Sequence, residues 1–305
     1  MSPRTRAFLL LCCAATLWST AGVLTRHLEQ ARSFEVTFWR SSFAALFVLV
    51  ALAVTLSGSV TGAIRATGRY GMVSGAMWSV MFTCFMIALT LTSTANTLLM
   101  SSLGPLTTTL LAAIVLRERV PARTWVAIAM AMAGMLWMFS ARQDAGGSTV
   151  RATDALGMLV ALGVPLAAAV NVVTLRRASA KVDMVPAVLI GACVSAMVML
   201  PFALPLSATP RDIAILAFLG FFQLGLPCML LVAASKHLQA PEIALASLLE
   251  VVLGPVWAWL GAGERPSAAT LTGGLFILGA LALNQLWSLG HSMRGRAMQG
   301  RSGPR

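Results

Sequence analysis

Apolar residues run along this chain in long unbroken stretches, and polar punctuation is confined to short connectors. Crossing roughly 30 Å of hydrocarbon at 1.5 Å per residue takes about 20 apolar residues in a helix. Stretches of that kind predict ten membrane helices: Ala7–Thr25, Val36–Leu56, Gly71–Leu91, Ala95–Leu116, Thr124–Ser140, Ala155–Leu175, Met184–Leu206, Ile213–Ala234, Glu242–Ala262 and Ala268–Ser288. One block occurs twice between apolar runs. Arg117-Glu118-Arg119 through Ala122-Arg123-Thr124 returns as Gly263-Glu264-Arg265 through Ala268-Ala269-Thr270, a shift of 146 residues from Glu118 to Glu264. A period of half the chain makes two copies of one five-helix unit. An odd number of crossings turns the second copy upside down, so the fold class is an all-α integral membrane protein of ten helices in two inverted repeats.

The domain boundaries follow from this pattern. Residues 1–140 form the first repeat, 141–153 a polar flexible joint, 154–288 the second repeat and 289–305 a basic tail. With 58% hydrophobic and 10% charged residues, a soluble domain is excluded. Arg4 and Arg6 before an apolar run mimic a secretory leader, but the length of the run, Trp18 within it and the lack of a small-residue cleavage site favour an anchored helix. The five cysteines all fall inside predicted helices, where a thiol acts as a small apolar residue, so neither a disulfide framework nor a metal site is expected.

Charge sets the expected orientation. With both termini in the cytoplasm, the inner segments carry fifteen of the 22 basic residues and the outer segments six, with Arg40 left inside the second helix. Attraction to anionic lipid accounts for the net charge of +12 and the tail Arg294–Arg305, so nucleic acid is not an expected partner.

A polar group within the bilayer costs a few kcal/mol unless it faces protein or water, and function is sought there. Glu250 stands out. It lies nine residues into the ninth helix, roughly 13 Å by helical rise, with no basic residue within a turn or two. Such a carboxyl suits a proton-coupling group or a partner for a cationic substrate atom; the alternative is a hydrogen-bonded lock between helices. Arg40, one turn inside the outer boundary of the second helix, either snorkels to the headgroups or forms an anion clamp at a cavity mouth. Its level is roughly 10 Å from that of Glu250, so a zwitterion could span the two.

Trp18, Ser19, Gln223 and Ser195 are expected at similar depth, and Trp78 either lines a cavity or anchors a helix. Pro105 and Pro255 fall in the fourth and ninth helices, partners in the repeat. Each removes a backbone hydrogen bond and predicts a kink. Asn171, Asn284 and Gln285 are expected to bond helix to helix, and Gly134, Gly273, Gly274 and Gly279 to let backbones approach. Glu118 and Glu264, at the exits of the fourth and ninth helices, are read as architectural, pairing with Arg119 and Arg265 and capping the next helix.

These features together resemble the EamA-type transporters of the drug/metabolite transporter superfamily, over about Ala7 to Trp287. Trp18-Ser19-Thr20 is similar to the family's aromatic-small pattern in the first helix, with Ser19 in place of glycine. Arg40 matches the arginine that opens its second helix. Gly263-Glu264-Arg265 followed by Gly273 matches the repeat signature, as do Glu118, Arg119 and Gly134, with Arg117 where glycine is usual. Glu250 has the spacing of the family's Glu-Pro, fourteen residues before Glu264, with Val251 in place of the proline. The resemblance implies secondary movement of small metabolites by alternating access, often export of amino acids or related compounds.

A drug or cationic-compound exporter, or one for nucleobase-like metabolites, is the alternative. No Gly-x-x-x-x-Gly-Lys-Ser/Thr loop is present for ATP drive. An embedded enzyme would need a His/Asp or Asp-rich cluster, whereas His27, His237 and His291 are scattered; a scaffold would leave Glu250 unexplained. The expectation is therefore no enzyme, no cofactor and no metal. It is a multi-pass protein of the cell (inner) membrane, monomer or homodimer, whose partners are a small-molecule substrate, lipid and a proton as coupling ion.

Overall fold

The computed structural model describes residues 2–25, 27–56, 58–92, 97, 100–118, 120–143, 152–178, 181–262, 268–269, 271–280 and 282–283. No strand occurs among them. Among the described residues seven helices are long and apolar enough to cross a membrane: α1 Pro3–Thr25, α2 Phe34–Thr55, α3 Val60–Ala88, α6 Ala155–Ala178, α7 Val185–Ala203, α8 Pro210–Ser235 and α9 Ala240–Gly261. Three shorter apolar helices, α4 Gly104–Leu116, α5 Ala122–Trp137 and α10 Leu271–Ala280, complete the set. Each overlaps one predicted stretch. Their outer faces carry bare apolar side chains, Val54 at 80% exposure, Ile114 at 74% and Leu275 at 71%, which only a lipid surround makes tolerable. Glu264, Arg265, Arg119, Asn284, Gln285 and the basic tail lie outside the described residues.

Local chemistry fixes where helices begin and end. Thr209 and Asp212 form a capping box ahead of α8, with Pro210 at the first turn; Gln239 and Glu242 do the same for α9. At the end of α4, Arg117 takes the left-handed conformation (φ 54°, ψ 31°) and the Glu118 N–H reaches back to the Ala112 carbonyl. This is a helix stop that favours glycine. The start of α3 differs from the sequence reading, which placed Ser57–Tyr70 in a connector. Ser59 caps a helical segment from Val60, and Gly68 (φ 52°, ψ −143°) bends it into the membrane stretch. Val60 and Ile64 pack on the core there, which is why that segment is ordered despite Arg65 and Arg69.

Helix contacts recur between the two halves. Counterpart helices α2 and α7 run antiparallel: the Phe34 and Phe202 rings lie tilted at 37° with centroids 5.7 Å apart, and the Ser41 hydroxyl donates to Ser195 Oγ at 3.1 Å. The pair α5 and α10 does likewise, since Trp137 Nε1 donates to Thr272 Oγ1 at 2.8 Å while Met130 lies by Gly279. Gly134 allows that approach, because a Cβ there would sit 2.7 Å from the Gly273 carbonyl oxygen. Parallel pairs also recur in equivalent places. On α1 and α9, Arg4 meets Glu242 and Ser19 meets Trp257, both 238 residues apart. On α4 and α6, Thr107 meets Pro165 and Glu118 meets Arg176, both 58 apart.

Candidate functional site

Three helices lose regular geometry, α1 and α8 at neighbouring places and α9 nearly three turns away along the bundle. α1 is interrupted at Thr20, α8 widens into a π-helical stretch over Leu219–Gly225, and α9 is interrupted at Leu248. In lipid, freed backbone groups are tolerated only against protein or a cavity, and π turns often mark functional positions. Pro105 follows the turn at Ser102 and Leu103 that opens α4, where its missing N–H costs nothing. Pro255 lies inside the continuous helix Leu249–Ala262; the break in α9 falls seven residues earlier, at Leu248, two residues before Glu250.

The irregular stretches hold the sequence-selected side chains together. Gln223 Nε2 donates to the Trp18 carbonyl at 3.3 Å, and Trp257 Nε1 donates to Ser19 Oγ at 2.8 Å, which itself donates to the Thr16 carbonyl at 2.6 Å. Cys228, fully buried, lies close to the Trp18 side chain and within electrostatic reach of Arg40. Gly220 lets α2 come up against the π stretch, where a Cβ would stand 2.8 Å from the Arg40 carbonyl oxygen and 2.4 Å from Phe43 Cβ. Arg40 does not snorkel. It is 7% exposed, its Nε has no partner, and it takes part in no ion pair among the described residues.

Glu250 is partly buried and has neither a hydrogen bond nor an ion pair among the described residues. The constant register of α1 on α9 puts it level with Cys12, so Ser19 and Trp257 stand two turns away, about 10 Å. Arg40 and Glu250 thus occupy different levels and make no direct pair. Trp78 is buried in the α3–α7 seam at 1% exposure, against Gly191 and the Phe82 ring, with its Nε1 unbonded. Asn171 accepts from Ser74 at 2.6 Å, a helix-to-helix bond.

Both ends of the bundle are tied by charge. At the end holding the arginine-rich connectors, Arg4 pairs with Glu242, and Arg176 pairs with Glu118 at 3.4 Å. Glu118 is thus reached from α6. An open cavity of about 750 Å³ there is lined by Ile114–Glu118, Arg176 and Arg177. At the other end, two buried carboxylates staple the α1–α2 connector to the α7–α8 connector. Asp212 accepts from the N–H groups of Glu29, Gln30, Ala31 and Thr209, and Glu35 from those of Ser207 and Ala208, from the Ser207 hydroxyl and from Trp39 Nε1. Sequence reading missed these staples, since Glu35 and Asp212 sit at predicted helix ends. The Thr-Pro-x-Asp capping signature was the available signal.

Two matches, over residues 5–140 and 155–285, align this chain with the EamA-like transporter family, one per half. The chain belongs to that family. The pseudopaline exporter CntI of Pseudomonas aeruginosa, in strains UCBPP-PA14 and PAO1, is 25% identical over 261 residues, 82% of this chain and 86% of the relative. A solved structure described as a crystal structure of a protein superposes with a TM-score of 0.77 over 93% of this chain and 97% of its own, at 22% identity. That likeness concerns the fold alone. The family makes the protein a membrane transporter with a small-molecule substrate.

Proposed function

We propose that this EamA-like protein exports small metabolites, amino acids or related compounds, across the inner membrane through ten crossings with both termini cytoplasmic. The likeness to an exporter, the arginine excess on one set of connectors and the inverted packing of α2 on α7 support this reading. The two halves rock against each other so that the Trp18–Gln223–Trp257 layer opens to alternate sides. Glu250 is the observation that carries the coupling: a carboxyl with no partner among the described residues, just past the break in α9, changes charge at low cost once solvent or a proton reaches it. Proton exchange at Glu250 then drives the cycle.

The experiment is uptake of labelled neutral amino acids into proteoliposomes with and without a pH gradient, comparing the native protein with Glu250→Gln. Gradient-stimulated uptake that disappears in the variant is the expected result. Uptake that ignores the gradient and survives in Glu250→Gln would reduce Glu250 to a helix lock and the protein to a facilitator. A preference for cationic compounds over amino acids would favour the drug-exporter alternative.

A further inference from the structure

Two buried polar atoms near one another in the fold lack partners, and they are opposite in kind. Arg40 Nε is a charged donor and Gln223 Oε1 an acceptor; both residues are more than nine-tenths buried. They are linked through common neighbours. Arg40 packs on the π stretch that carries Gln223, Gln223 bonds Trp18, and Trp18 and Arg40 both approach Cys228. Among the described residues no carboxylate pairs with the guanidinium. Glu35 and Asp212 are taken up by connector N–H groups, and Glu250 lies two turns away. A buried cation without an anion costs several kcal/mol, and a guanidinium fork matches a planar carboxylate at two points.

We propose that Arg40 receives the carboxylate of the transported solute and that Gln223 Oε1 accepts from an amino or hydroxyl group on the adjacent carbon. The substrate class is then small α-amino and α-hydroxy carboxylates, bound against the Trp18 and Trp257 rings. This rests on the transport reading for its biological sense but not for its test, which needs no turnover.

Cys228 serves as the reporter. In a protein retaining Cys228 alone, with Cys12, Cys13, Cys84 and Cys193 replaced, labelling is followed with an anionic sulfonatoethyl and a cationic trimethylammonioethyl methanethiosulfonate. With Arg40 present the anionic reagent reacts at least about tenfold faster, a preference that Arg40→Lys keeps and Arg40→Gln abolishes. L-leucine and lactate slow the labelling, whereas L-leucinamide and lactamide do not. Should Arg40→Gln fail to fold, Gln223→Leu decides: it keeps the reagent preference and loses protection by leucine. Equal rates for the two reagents, no labelling by either, or protection by amides as strong as by acids would each overturn the proposal. A protein that passes this test yet ignores the pH gradient loses the coupling role of Glu250 and keeps the carboxylate site.

Discussion

Single residues here trade stability for function. Arg40 is buried with no counter-charge among the described residues, so Arg40→Met should raise the thermal midpoint by about 2–4 °C while abolishing transport. A fall in the midpoint would show that the guanidinium is held by the fold itself. The Trp257–Ser19 bond is a smaller matter, since hydrogen bonds between membrane helices average about 0.6 kcal/mol. Trp257→Phe should therefore keep the protein folded, with a midpoint within about 2 °C of native, and alter uptake kinetics if the layer moves in the cycle. Arg117 occupies a left-handed position that costs a non-glycine residue roughly 1 kcal/mol. The resemblance noted from sequence, glycine being usual there, acquires a conformational reason.

At the scale of helices, small residues set the spacing and irregular turns set the site. A Cβ on Gly191 would lie 2.4 Å from Trp78 Cβ and 2.9 Å from the Gly75 carbonyl oxygen, so Gly191→Ala should destabilise α3–α7 packing by about 1–3 kcal/mol. Gly104→Ala meets nothing within 4 Å and should be neutral in the same thermal assay. Much of this level was legible in the chain. Apolar run length located the helices, whereas the capping residues Thr209, Gln239 and Ser59, which set where three of them start, were not read as starts. What was not legible depends on partners distant in sequence: the π stretch that seats Gln223 against Trp18, the interruption at Leu248 rather than at Pro255, and the pairing of Glu118 with Arg176. A proline announces a missing N–H, but where the helix gives way is decided by what packs beside it. Similarly, Cys228 read as a small apolar residue because its meaning comes from Trp18 and Arg40.

For the whole molecule, the contrast between the two ends is the informative feature. One end holds an open cavity beside Arg176, while at the other Asp212 and Glu35 bind the connectors through six backbone N–H groups. Asp212→Ala strands four of those donors and should shift the resting population toward opening at that end, seen as faster labelling of a cysteine placed at Leu28. Between the ends, the counterpart helices α2 and α7 touch through Ser41 and Ser195, both fully buried. A lever moves least at its fulcrum. Two arms that swing in opposite senses about this contact leave it nearly still, and strain a tether more the farther from it the tether is tied. A bridge between Ser41→Cys and Ser195→Cys should thus spare turnover, and one between Phe34→Cys and Phe202→Cys should stop it.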